Sequence, residues 1–385
     1  MADDLARKVK NLEDRARRDR GELESVWEDI ANHVIPRRAT FHERTPKGKE
    51  KQHDVLDSTA PLMLEMFASQ LNSLLTNPTK QWFELSFALP EQQETVSARK
   101  WGETVEQIML SRLNSDVVNL PGLFHTAYLD IGAFGTAAMF IDTDATGRLR
   151  AQAPHLADIE FEENPNGFVD RVFRRLRLTP VQARQQFTAE DDELPDSMAA
   201  EPETGRNTKD PFEEKQLLHA VFPLDGSLPD LENLLPRSIR NNDEAAFGSV
   251  WIALDDDKVI RASFYSEMPY MIPRWYKVRS DKYGRSPAMT AMPDIRMVNR
   301  MQETVLRGAE KLVDPPLTIP DGGVVSPVRL QPGGITYTEG NQQPQPLIPP
   351  GASRVDVGDQ LIQQKQATIQ QAFFVSQFLT QQSPV

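Results

Sequence analysis

The stretch 283–316, YGRSPAMTAMPDIRMVNRMQETVLRGAEKLVDPP, decides how this chain is organised. Ser286 is a good N-cap, and Pro287 suits the first helical position, where its missing N–H would be unpaired anyway. Asp314-Pro315-Pro316 ends any helix begun there. Pro293 lies beyond the first turn. It deletes one backbone hydrogen bond and presses on the Met289 carbonyl, at about 3 kcal/mol in a straight helix. The expectation is a kink or restart there, with Pro287 to Met292 as a separate turn. Beyond it, Arg296, Arg300, Arg307 and Lys311 fall within about 60° of one another at about 100° per residue, a basic stripe. Glu303 and Glu310 lie beside the stripe, and Glu303 to Arg307 is a favourable i,i+4 pair. Ile295, Val298, Val305 and Leu306 occupy the opposite side. Such a stripe is either a solvated face or a face packed against copies of itself, with charges bridging between subunits.

Upstream, residues 3–34 read as a helix with Leu5, Val9, Leu12, Leu23, Val26, Trp27, Ile30 and Val34 at helical spacings, ended by Pro36. A polar, basic loop follows. A second helix starts near Asp57-Ser58, with Pro61 in its first turn and Leu62, Met66, Leu71, Leu74 and Leu75 as its apolar face. Pro78 breaks it, and Trp82-Phe83 begins a short extended piece. Further helices span roughly Glu94–Asn114 and Leu120–Phe134. The periodicity then changes from helical to alternating. Ala137–Asp142 and Arg148–Ala153 read as strands joined by a turn at Gly147. Phe168–Leu178, Gln216–Phe222, Gly248–Leu254 and Lys258–Tyr265 read as further strands, with Asp255-Asp256-Asp257 turning between the last two. Thr179-Pro180 opens a short helix, and the acidic, proline-bearing Glu190–Asp210 reads as a mobile loop without calcium-loop spacing.

Downstream of the opening stretch, Val313–Pro350 is rich in Pro and Gly. A last helix runs from about Asp356 to Leu379, with Leu361, Ile362, Ile369, Ala372 and Phe373 apolar and most of the rest glutamine. Between Asp359 and the C-terminus only Lys365 is charged.

The chain has no cysteine, so thiolate chemistry and disulfides are excluded and a structural zinc site is disfavoured. Six dispersed histidines form no metal motif, and neither a phosphate-binding G-x-x-x-x-G-K-[ST] loop nor a G-x-S-x-G elbow occurs. The N-terminal residues hold no apolar segment of the secretory kind, and no apolar run is long enough to span a bilayer. Net charge is −13, the wrong sign for a generic nucleic-acid binder. Residues 274–385 nevertheless carry 12 Lys and Arg against 9 Asp and Glu, a mildly basic third on an acidic body.

Five blocks follow one another in order: WEDIANHVIPRR (27–38), DSTAPLMLEMFASQLNSLLTNPTKQWFEL (57–85), HTAYLDIGAFGTAAMFID (125–142), YGRSPAMTAMPDIRMVNRMQE (283–303) and RVDVGDQLIQQKQATIQQAFF (354–374). Together they resemble the portal proteins, or head-to-tail connectors, of short-tailed bacteriophages over nearly the whole chain. The second and fourth are the most specific, because both join a Pro-bearing helix start to a long apolar pattern. The resemblance implies an α+β portal fold. Its parts would be a mixed helix/strand wing (1–275), a stem entry and first stem helix (276–312), a small Pro/Gly-rich clip (313–355), a second stem helix (356–378) and the start of a channel loop (379–385). The family continues with a long kinked helix and often a crown. Neither is present in this chain, and the expectation is that these residues are either the ordered part of a longer protein, which is the favoured reading, or a truncated protein.

The resemblance further implies a homo-oligomeric ring, typically dodecameric, at one capsid vertex. Its partners would be the major capsid protein, terminase during packaging, tail adaptor proteins, and double-stranded DNA passing through the channel weakly bound. No cofactor, membrane or catalytic activity is implied, and the location is the virion after assembly in the host cytoplasm. Arg296, Arg300, Glu303, Arg307, Glu310 and Lys311 become stem and subunit contacts. Ser286, Pro287, Pro293, Pro315 and Pro316 become hinge and caps, and Gln377, Gln381, Gln382 and Lys365 channel-facing candidates. A strongly basic lining would hold sliding DNA through counterion release, which an acidic body with a glutamine-bearing third avoids. The competing readings are a capsid or tail adaptor that conducts no DNA, and a Mg-dependent nuclease using scattered carboxylates.

Overall fold

A computed structural model describes residues 2–41, 55–86, 95–143, 147–187, 192–195, 197–198, 213–279, 281–313, 317–318, 345–346 and 355–374. The chain divides into two compact units: residues 1–51 with 64–289, and residues 52–63 with 290–385.

The first unit begins with α1 (Ala2–Val34), which buries Leu5, Val9, Trp27, Ile30 and Val34 of the predicted apolar stripe, whereas Leu12 and Leu23 are half-buried and Val26 is exposed. Pro36 stops it in a 3-10 turn, Pro36–Arg38. Next come α2 (Thr59–Leu75), whose first residues belong to the second unit, α3 (Val96–Leu113) and α4 (Leu120–Phe134). On α2 the expected apolar face is corrected. Leu71 is buried, whereas Leu62, Met66, Leu74 and Leu75 are exposed, and the buried face carries Leu64, Phe67 and Ala68. Apolar residues surround this helix almost completely, so periodicity alone could not choose a side. Gly132 of α4 chooses it: a Cβ there would stand 2.5 Å from Leu64 and 2.9 Å from Phe67, so this face of α2 approaches the backbone. Residues 81–86 form no strand; Trp82 instead packs edge-on against Phe83 and Phe124.

After α4 the unit becomes β-rich. A small antiparallel sheet has the order β2-β1-β8, from β1 (Met139–Thr143), β2 (Leu149–Gln152) and β8 (Tyr270–Met271). A five-stranded antiparallel meander runs β3 (Ile159–Glu163), β4 (Val169–Leu178), β5 (Lys215–Pro223), β6 (Phe247–Ala253) and β7 (Lys258–Tyr265). Alternation along β5 splits the core. Leu218, Ala220 and Phe222 face α1, with Leu5, Ala6 and Val9 in the same cluster. Leu217 faces the other side with Trp251, Ala183 and Phe187. The last two residues belong to α5 (Pro180–Gln186) and its end, where Thr179 and Gln182 form a capping box.

Two strands of this unit escape the sequence reading. In β3, IEFEE, the buried Glu160 masks an inward face. β8 is too short to show a period. Two one-turn helices, α6 (Pro229–Glu232) and α7 (Arg237–Arg240), were missed for the same reason. The acidic segment read as a mobile loop is corrected in part: Asp192 pairs with Arg261, and Met198 is fully buried in the sheet's second core. Apart from 192–195 and 197–198, that segment lies outside the described residues.

The second unit contains most of α8 (Pro287–Val313), α9 (Val355–Ala372) and a two-residue antiparallel pair, β9 (Leu317–Thr318) with β10 (Gln345–Pro346). The expected restart at Pro293 does not occur, since α8 is one helix through it. Pro293 lies on the exposed side, where water can take the Met289 carbonyl that the missing N–H leaves without a helical partner. α9 closes at Ala372, earlier than 378, as Phe374 adopts a left-handed backbone with φ 58°.

Candidate functional site

The start of α8 is tied to the end of α4. Gly135, with φ +77°, closes α4 and accepts a hydrogen bond from Trp275 N at 2.9 Å. Gly284 passes directly over it. A Cβ on Gly284 would lie 2.2 Å from the Gly135 carbonyl oxygen, and one on Gly135 would lie 2.5 Å from that of Gly284. Gly284 N donates to Thr136 Oγ1 at 2.9 Å. Ser286 Oγ donates to the Ala133 carbonyl at 2.7 Å and accepts from Met289 N at 2.9 Å, so the predicted cap is also a weld between helices. Tyr283 anchors the approach against Trp27 and Phe161. The blocks 125–142 and 283–303, distant in sequence, therefore meet.

In the second unit α8 and α9 lie antiparallel. Lys365 Nζ donates to Asp294 at 2.8 Å, and one helix run further along each, a Cβ on Gly358 would stand 3.3 Å from Val305. A third strand of chain is clamped to both. Asn299 Oδ1 accepts from Leu56 N at 2.7 Å and Asp57 N at 3.2 Å. Asp57 caps α2 by accepting from Thr59 N at 3.0 Å, and its other oxygen accepts from Gln366 Nε2 at 2.7 Å. Ile362, Ile369 and Phe373 are buried, as are Ile295 and Val298, whereas Leu361 and Leu306 are exposed.

The remaining candidates separate cleanly. Arg296, Arg300, Arg307 and Glu310 lie on the exposed side of α8. Glu303 and Arg307 form the expected i,i+4 pair at 2.5 Å, but with side chains 45% and 72% exposed it stabilises by well under 1 kcal/mol. Lys311 is placed in the helix backbone only. Lys365 is half-buried in its pair with Asp294. Pro315, Pro316, Gln377, Gln381 and Gln382, the segment 379–385 and nearly all of 313–355 lie outside the described residues. Asp294, Asn299 and Gln366 were not singled out by sequence. Nothing in an isolated Asn or one Gln among many marks a long-range bond, although Asp57 was visible as a cap.

The family described as bacteriophage head to tail connecting protein matches residues 6–385. The chain belongs to that family. The chain is 26% identical to the portal protein of Salmonella phage epsilon15 over 372 residues, 95% of the chain and 64% of that protein. It is 25% identical to the probable portal protein of Bordetella phage BPP-1 over 318 residues, 82% of the chain and 54% of that protein. It thus spans between about half and two thirds of the curated relatives it matches. The α+β fold of the chain is as the resemblance implied. Among the described residues no helix is long and apolar enough to cross a membrane, and no group of acidic or histidine side chains is arranged to hold a metal ion.

Proposed function

We propose that the connector assembles into a homo-oligomeric ring, typically of twelve copies, at one capsid vertex. The ring forms the channel through which double-stranded DNA is packaged and ejected. In this reading residues 1–275 are the wing, 276–312 the stem entry and first stem helix, 356–378 the second stem helix and 379–385 the start of the channel loop, and the Pro/Gly-rich 313–355 is the clip that meets terminase and later the tail adaptors. The wing contacts the major capsid protein. The ring is built in the host cytoplasm and stays in the virion. The supporting observation is the family match across nearly the whole chain, joined to an antiparallel helix pair whose basic stripe is left exposed on the single subunit.

In a cyclic ring each subunit presents two different faces to its neighbours, so a mixed-charge helix can meet a neighbour's different face. Arg296, Arg300, Glu303, Arg307, Glu310 and Lys311 are assigned to that contact. Pro315 and Pro316 mark the exit into the clip, and Gln377, Gln381 and Gln382 the channel. Native mass measurement with class-averaged end views tests the reading. A closed ring with an opening wide enough for a duplex is expected. Monomers alone across several salt conditions would overturn it, a ring with a closed centre would favour an adaptor, and cleavage of DNA with Mg²⁺ would favour a nuclease.

A further inference from the structure

Where β3 begins, β4 runs on past it. Ile159 pairs with Arg174, and the residues from Arg175 to Leu178 pair only with β5 on their other side. Beside this uncovered edge is a recess of about 450 Å³, with Arg17, Phe41, Asp158, Glu160, Arg174 and Arg177 among its walls. Its guanidiniums are unevenly engaged. Arg175, also in the wall, grips Glu13 through two bonds of 2.6 and 2.8 Å. Arg174 stacks over Phe140, yet its Nε is buried without a hydrogen-bond partner. Among the described residues Arg17 and Arg177 form no ion pair. Glu160 is 1% exposed. One of its oxygens accepts from Arg20 at 2.9 Å, and the other, Oε2, is buried with no partner.

We propose that this recess binds a tetrahedral oxyanion, a phosphate or sulfate group, between Arg17 and Arg177, with Glu160 Oε2 at its base. Arg17 and Arg177 bring two guanidiniums to the recess without an ion pair of their own, on a chain of net charge −13, whereas the Arg174 head is engaged over Phe140. Guanidinium forks match such oxygens bidentately. The orphan carboxyl oxygen fits an anion when it carries a proton and donates. Burial pushes Glu160 up to about 7, and the Glu13 charge adds to this, while Arg20, Arg175 and Arg17 oppose it. Glu24, Asp158 and Tyr283 are the other charged or titratable groups around it. Binding is therefore tighter below neutrality.

Sulfate is the probe, because its charge is constant across the range. Calorimetric titration of the full chain at about pH 6 and about pH 8.5, at constant ionic strength, is expected to give about tenfold tighter binding at the lower pH. Arg17→Ala with Arg177→Ala, both at exposed positions, should weaken it by about tenfold or more. Glu160→Gln should keep binding, since the amide donates at every pH, and should lose the pH dependence. Displacement of sulfate by a short DNA duplex would place the phosphate on nucleic acid. Displacement by inorganic phosphate and not by duplex would place it on a small solute. Either supports the site. No sulfate binding at either pH, or binding untouched by the double arginine variant, would overturn it, and circular dichroism of that variant separates this from misfolding.

Discussion

Asn299 of α8 holds Asp57 by the backbone: one side-chain oxygen accepts from Asp57 N and from its neighbour Leu56 N. Asp57 in turn reaches Gln366 of α9, so one short segment ties three parts of the chain. Asn299→Ala leaves two backbone donors without that acceptor and should cost about 1–2 kcal/mol. The expected signature is faster hydrogen exchange in residues 55–63 and in α9, with little change in the sheet. Uniform loss of protection across both units would contradict a local clamp.

Gly135 and Gly284 are predicted to be the least replaceable glycines among those described. Gly284→Ala drives a methyl onto a carbonyl oxygen, and Gly135→Ala adds a positive φ to a similar clash. Each should cost at least about 3 kcal/mol. Gly147→Ala is the control: its φ is +74° but nothing lies within 4 Å, so about 1 kcal/mol is expected. Urea midpoints of the three variants check the ranking.

Acid sensitivity is predicted at His219. It is fully buried, stacked on Trp251, and its ring nitrogens meet Tyr270 Oη at 2.7 Å and Ser249 Oγ at 3.0 Å. Burial holds it well below its usual 6.5, and the charges of Arg174 and Arg150 add to this. A depressed folded pKa means stability fully present above about 6.5 and lost as pH falls through the folded value. The slope is about 1.4 kcal/mol per pH unit for one proton. His155, lowered to about 3 chiefly by burial, acts in the same direction, whereas Glu160, raised to about 7, contributes stability that is lost as pH rises from 4.5 toward 7. The wild-type slope is therefore a partial cancellation. His219→Gln should remove about one proton's worth of acid loss, and urea titrations of both proteins between about pH 4.5 and 7 read the difference.

Arg300→Glu tests the proposed stem contact. The side chain is exposed in the subunit, so folding should change by less than about 0.5 kcal/mol. Native mass should show fewer closed rings. Normal rings that fail to package DNA would instead place the stripe on the channel side.

Local chemistry was legible from the residues alone. Ser286 and Pro287 start a helix, Thr179 and Pro180 open another, and alternation marks β4 to β7, because caps, turns and periods depend on neighbours within about four positions. The portal resemblance followed from the order of such pieces. What only the tertiary structure decided is which partners distant residues choose. Gly132 selects the buried side of a helix apolar all round. Arg20 makes Glu160 tolerable in a strand that looked too charged to be one. Ser286 caps its own helix and bonds to Ala133 of another, and solvent on the Pro293 side lets α8 continue as one helix where a kink or restart was expected. Each of these depends on burial and on contacts made across more than sixty residues or with water, which no local window of sequence contains.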